Sequence, residues 1–238
     1  MKASAASWMS PACARTPKAS RLRPGDEPAA LVAASCSGAT AVHGLALSPA
    51  SIGATVVVLG PGPLGAFSCA LARAQGAEHV VVIGGTPDRL ALCAALGATL
   101  TLDRRAGEEA HREAVRALTA GRGADVVVEA SGSVDAAREA LGLVRPGGAV
   151  SLVGLGTPVG AMALRPFEEV ARRNMRAQAV WVSDLRHTLQ AVSLVRQHPQ
   201  AFAQLVTHRF PLAEASAALL LVHHRQAMKA VIEPMAGG

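Results

Sequence analysis

The sequence predicts a doubly wound α/β fold, a parallel sheet held between two layers of helices, and three observations predict it. From residue 55 onward, short aliphatic runs alternate with helical patterns. The runs carry no polar alternation, which is the mark of strands covered on both faces. The first run, Thr55-Val-Val-Val-Leu59, ends in Gly60-Pro-Gly62-Pro-Leu-Gly65, and an Ala-rich helical pattern begins at once. A G-x-G-x-x-G spacing is informative only when a strand precedes it and a helix follows it, and here both are readable.

Each element follows from its own residues. Residues 1–25 hold Ala, Ser, Pro and basic side chains without periodicity and are expected to form a disordered leader. An acid-free, Ser-containing start also resembles an organellar transit peptide, and an unnatural start is the other reading. Residues 27–47 follow a helical pattern. Strands are expected at 55–59, 79–83, 99–102, 124–129 and 148–153, with helices at 63–75, 87–96, 107–119 and 133–144. Arg145-Pro-Gly-Gly148 reads as a helix stop followed by a turn. A sixth strand at 176–182, helices near 184–197 and 212–221, and a last strand at 229–233 complete the order. This β-α-β rhythm, with right-handed crossovers, places helices on both sheet faces.

Composition narrows the function classes. The chain has 238 residues, half of them hydrophobic, with no Tyr, 4 Phe and 2 Trp, so its core is built from Ala, Val and Leu. The net charge of +6 does not indicate a nucleic-acid binder. Lys2, Arg15, Lys18, Arg21 and Arg23 lie in the first 24 residues with no acid, and the remainder is near balance. No basic stripe is interleaved with aromatics. No run of about 18 apolar residues free of charges and helix breakers is evident, so no membrane span is expected. Cys13, Cys36, Cys69 and Cys93 form no C-x-x-C pair, so reduced thiols and a cytoplasmic home are expected.

The loop has a physical reading. Gly60 lets the chain turn tightly out of a strand. Gly62 lacks a side chain, so a pyrophosphate can approach the backbone. Gly65 lets the helix pack close to the sheet with its N-terminus aimed at the phosphates. Pro61 and Pro63 stiffen the loop, and Pro63 suits the first helical turn, where a missing N–H costs little.

Several segments resemble the C-terminal, cofactor-binding part of the zinc-type medium-chain alcohol dehydrogenase family. They are Cys36-Ser-Gly-Ala-Thr40-Ala-Val-His43, the Gly60–Gly65 loop, Arg89-Leu90, Gly123-Ala-Asp125-Val-Val-Val-Glu129-Ala-Ser131-Gly132, Arg145-Pro-Gly-Gly148, Thr207-His208-Arg-Phe-Pro-Leu212 and Lys229-Ala-Val-Ile-Glu-Pro234. The resemblance runs from about Asp26 to Pro234. It implies a Rossmann domain at 53–238 with a C-terminal helix-strand extension. Residues 26–52 would be a linking helix, the remnant of a junction with an N-terminal GroES-like catalytic domain. That domain would precede residue 26, so the chain is expected to be truncated. Cys36 matches a zinc-ligand position, with a buried core thiol as the alternative. One thiolate cannot hold catalytic zinc, which takes three protein ligands. Zinc is therefore expected only if the N-terminal domain is supplied.

The resemblance also assigns a cofactor site. Gly60, Gly62, Pro63, Leu64 and Gly65 would meet the pyrophosphate, with Leu64 beneath the nicotinamide or against the sheet. Thr40 would lie beside the nicotinamide. Ser131, Gly132, Val153, Gly154 and Leu155 close the fourth and fifth strands, where ligands bind; tight turns are the alternative. Gly84 stands where an acid would grip the adenosine ribose, so NAD and NADP are expected about equally. Arg89 and Lys229 match basic positions near the cofactor, and Thr86 offers a hydroxyl; solvated surface is the alternative for both cations. His187, His198, His223 and His224 read as solvated.

Two functions follow. One is an oxidoreductase that moves hydride between a small alcohol or aldehyde and NAD(P). The other is a non-catalytic dinucleotide-binding module, which leaves open whether this chain is itself an enzyme. An S-adenosylmethionine site is disfavoured by Gly84. A homodimer through the sheet edge is the expected assembly.

Overall fold

The computed structural model describes residues 22–234. The expected leader, with Cys13, falls almost wholly outside them. The chain forms helix α1 (Pro28–Leu47), then β1 (Thr55–Leu59), α2 (Pro63–Ala74), β2 (His79–Gly84), α3 (Pro87–Ala95), β3 (Leu100–Asp103), α4 (Glu108–Leu118), β4 (Ala124–Glu129), α5 (Val134–Leu143) and β5 (Val144–Leu152). After a π turn at Pro166–Ala171 come β6 (Arg176–Ala179), α6 (Leu185–Gln197), α7 (Pro199–Ala203), β7 (His208–Pro211), α8 (Ala215–His223) and β8 (Ala230–Glu233).

Six strands form one parallel sheet in the order β3-β2-β1-β4-β5-β6. This is the doubly wound order of the Rossmann fold. Successive residues of the central strands feed opposite cores. Val56, Val58, Val80, Val82, Val126 and Val128 join α1, α2, α3 and α6 on one face. Val57, Leu59, Val81, Ile83 and Val127 join Val115 of α4 and Ala140 and Leu141 of α5 on the other. Each buried Val contributes about 1.5–3 kcal/mol, so aliphatic runs without polar alternation are held firmly between two helical layers.

Several expectations change. β5 begins at Val144, and Arg145–Gly148 forms a wide bulge within it. Ala124 pairs with Val144 and Val126 with Ala149, so four residues loop out where the sequence reads as a turn. β6 is shorter than expected. The expected last strand forms as β8, which pairs in parallel with β7 in a separate two-stranded sheet, with α8 as the crossover. β7, α7 and the π turn are not evident in the sequence pattern, because each is short and lacks a full period of apolar residues.

α1 also corrects an expectation. By length and composition it is apolar enough to cross a membrane. Its Ala-rich face is nevertheless buried, through Ala30, Ala33, Ala34, Ala41, Val42 and Leu45. A β-carbon at Gly38 would lie 2.8 Å from Ala191 Cβ of α6 and 2.9 Å from Phe67 of α2, so the helix crosses its neighbours at close range. A π turn at Ala34–Gly38 interrupts it, and Arg196 of α6 grips Asp26 just before its start with contacts of 3.0 and 2.7 Å.

Candidate functional site

The order of strands reverses between β1 and β4, and the crevice outside their carboxyl ends is where such sheets bind ligands. The Gly60–Gly65 loop leaves β1 at that point. Gly60 has φ +106°, a conformation other residues rarely adopt. Its amide donates to Ile83 O at 2.9 Å, and a β-carbon there would lie 2.8 Å from Ser131 Cβ. Gly65 is the point of closest approach: its β-carbon would collide with Gly60 O. Around Gly62 the β-carbon position faces open space. Gly62 caps α2, and Pro63 occupies the first turn. Leu64 packs partly buried against the core.

The β4 end is organised by a residue to which the sequence reading assigned no role. Glu129 is fully buried. Its Oε1 accepts from Ser131 N at 2.7 Å, Ser131 Oγ at 2.7 Å and Gly132 N at 2.9 Å. Its backbone O accepts from Val153 N at 3.0 Å and Gly154 N at 2.8 Å. Oε2 finds no hydrogen-bond donor among the described residues and faces Gly154, whose β-carbon would lie 2.6 Å away. Glu129 thus ties Ser131, Gly132, Val153 and Gly154 into one unit beside Gly60. Its place in Val-Val-Val-Glu129-Ala-Ser131-Gly132, an acid ending an apolar strand, was the available signal. Leu155 follows the unit, half-buried.

The end of β2 is closely packed. Gly84 ends β2, and its β-carbon would collide with Pro61 Cγ and Cδ. Arg89 is half-exposed. Its Nη2 donates to Arg225 O at 2.9 Å and Ala227 O at 3.4 Å. This pins the segment before β8 against α3, while Lys229 O accepts from Thr207 N at 3.0 Å. Arg104, which the sequence reading did not single out, lies beside Gly85 after β2. A β-carbon at Gly85 would lie 3.0 Å from its Nε.

Cys36 sits exposed on the π turn of α1, which overturns the buried-thiol alternative. Among the described residues no group of three His, Cys, Asp or Glu side chains could hold a metal. The residues present do not fit a zinc site. Thr40 lies half-buried in the same helix, and no described contact joins it to the loop. Cys69 and Cys93 are buried and free. Contact with Cys93, together with burial, pushes the Cys69 thiol well above its usual range, so it is not a nucleophile. His187 is buried rather than solvated. Its Nδ1 accepts from Asp184 N at 3.2 Å, and Asp184 Oδ1 accepts from His187 N, which together cap α6. Burial lowers its pKa against the pull of Asp184. Its ring stacks on His43 at 4.5 Å.

A doubly wound sheet with this loop at its switch point defines the class of dinucleotide-binding α/β domains. Residues 63–196 match the profile of the family described as zinc-binding dehydrogenase, and the chain belongs to that family. It is 33% identical over 217 residues to 5-exo-hydroxycamphor dehydrogenase of Pseudomonas putida, covering 90% of this chain and 60% of that one. An alcohol dehydrogenase structure from Thermotoga maritima superposes with TM-score 0.85 at 41% identity, over 89% of this chain and 59% of the other. A zinc-binding dehydrogenase structure from Sinorhizobium meliloti, bound to NADP, superposes with TM-score 0.66 at 27% identity, over 77% and 53% of the two chains. The chain therefore spans somewhat more than half the length of these relatives.

Proposed function

We propose that this chain binds NAD(P) at the β1/β4 switch point and forms the cofactor-binding part of an oxidoreductase acting on a small alcohol or aldehyde. The observation that carries the reading is the loop. Gly65 must be glycine to pass Gly60 O, while Gly62 opens toward the crevice. The pyrophosphate would lie against Gly62 and the start of α2, where Pro63 leaves no amide to satisfy and the helix N-terminus favours an anion. Ser131, Gly132, Val153, Gly154 and Leu155 would line the nicotinamide side, with Thr40 opposite and Lys229 toward the adenosine. A bound nicotinamide supplies hydride exchange at C4. The chain's own residues bind and orient it.

The same reading takes 26–52 as a linking unit and 53–238 as the Rossmann unit. It treats α1 as a core helix, places the protein in the cytoplasm, and pairs copies along the exposed edge of β6. Zinc would need ligands beyond Cys36. That misfit favours a second reading, in which the chain binds dinucleotide without turning it over. Titration of the purified chain with NADH and NADPH, followed by nicotinamide fluorescence, tests binding. Absence of any saturable signal would defeat both readings. Zinc-dependent alcohol oxidation by this chain would defeat the second alone.

A further inference from the structure

We propose that this chain prefers the 2′-phosphorylated dinucleotide and that Arg104 receives the phosphate. This rests on the dinucleotide site proposed above. The adenosine ribose of such a site lies outside the carboxyl end of β2, where a carboxylate selects a free 2′-hydroxyl and repels a 2′-phosphate. Here that position is Gly84, and Pro61 occupies the space a side chain would need. The phosphate loop itself therefore keeps residue 84 free of a carboxylate.

The register supplies a cation instead. Gly84 pairs with Asp103 at the end of β3, so the next residue, Arg104, emerges beside Gly85. Its side chain lies across Gly85, whose β-carbon position is 3.0 Å from Nε, 3.2 Å from Cδ and 3.5 Å from Cγ. Arg104 can take this path because residue 85 has no side chain.

The turn carrying Arg104 is built. Asp103 accepts from Arg105 N at 2.9 Å and from Arg105 Nε at 3.0 Å. His111 is buried on α4. It donates from Nε2 to Asp103 O at 3.0 Å and meets Glu139 Oε1 through Nδ1 at 2.6 Å. These contacts pair the Asp103 carboxylate with Arg105. Arg104 keeps an exposed guanidinium with no hydrogen bond or ion pair among the described residues. Arg89, the other cation of this corner, is engaged by backbone carbonyls, while Thr86 stays exposed at the start of α3. A guanidinium matches a phosphate through paired N–H donors.

The test uses the full chain and titrates NADPH and NADH by fluorescence, for wild type and Arg104→Gln. 2′,5′-ADP and 5′-AMP serve as probes of the adenosine end alone. Wild type is expected to bind NADPH and 2′,5′-ADP about tenfold or more tightly than NADH and 5′-AMP, the scale of one charge-assisted contact. Arg104→Gln should erase that gap by weakening the phosphorylated ligands alone. Because the Arg104 side chain is exposed and makes no hydrogen bond among the described residues, the variant should fold, and an unchanged melting curve checks this. Equal or tighter NADH binding by wild type, or equal loss of both ligands in the variant, overturns the assignment while leaving the dinucleotide site standing. Failure of all four ligands to bind overturns the site and the assignment together.

Discussion

Pro61 and Gly84 compete for one volume: the ring of the first sits where a side chain on the second would start. Two loops distant in sequence are thereby coupled. Gly84→Asp should lower stability by about 1–3 kcal/mol, the usual cost of overpacking, and weaken NADH and NADPH together because the phosphate loop must move. Adding Pro61→Ala should recover much of the stability and shift binding toward NADH. Thermal melts and paired titrations check this; a single Gly84→Asp variant that melts like wild type would refute the coupling.

Glu129 is the buried acceptor that holds the β4 and β5 turns together. Glu129→Ala leaves two backbone amides without their acceptor and should cost about 1–3 kcal/mol. Hydrogen exchange should accelerate at Ser131 and Gly132 and remain slow in β2. Chemical denaturation with exchange mass spectrometry reads both effects.

His187 caps α6 by accepting a hydrogen bond at Nδ1, which requires the neutral ring. Burial lowers its pKa below the ordinary 6.5. With the folded value depressed, the stabilisation is complete above about pH 6.5 and is lost as pH falls through the folded value. A His187→Asn variant should melt lower than wild type at pH 8, and the difference should shrink toward pH 5. A constant difference across that range would exclude the linkage.

Asp26 titrates at about 2 rather than 3.8, chiefly through its hydrogen bonds from Arg196. A depressed carboxylate stabilises the fold above its unfolded value and loses that contribution as pH falls toward the folded one. Wild type should therefore lose stability between about pH 4 and pH 2 more steeply than Asp26→Asn, with the gap narrowing in high salt. Melting temperatures along a pH series at two ionic strengths measure it.

The central architecture was legible because its signals are local. Val56 to Leu59 and Val80 to Ile83 are aliphatic on every residue, and only a sheet covered on both faces buries such runs. The glycine spacing at 60, 62 and 65 was equally legible: Gly60 is set by its positive φ and Gly65 by its approach to Gly60 O, while Gly62 faces open space. The partners of Arg89 were not legible, because its proximity to β2 in sequence says nothing of the carbonyls of Arg225 and Ala227 to which it donates. His187 misled because a polar helical setting conceals the burial of its ring beside His43. β8 was legible as the last strand, but β7 escaped because a four-residue strand acquires its identity only by pairing, here with β8.

By itself the sequence determined the doubly wound class, the glycine loop between β1 and α2 and the absence of a carboxylate at residue 84. These depend on periodicity and on side chains a single loop must lack. Tertiary structure alone decided that Pro61 closes the space beside Gly84, that Glu129 joins two strand ends, and that Arg104 lies across Gly85. Each is a contact between separate crossovers. The register of β2 on β3 and the packing of the loops set it, and no pattern along one segment encodes that distance.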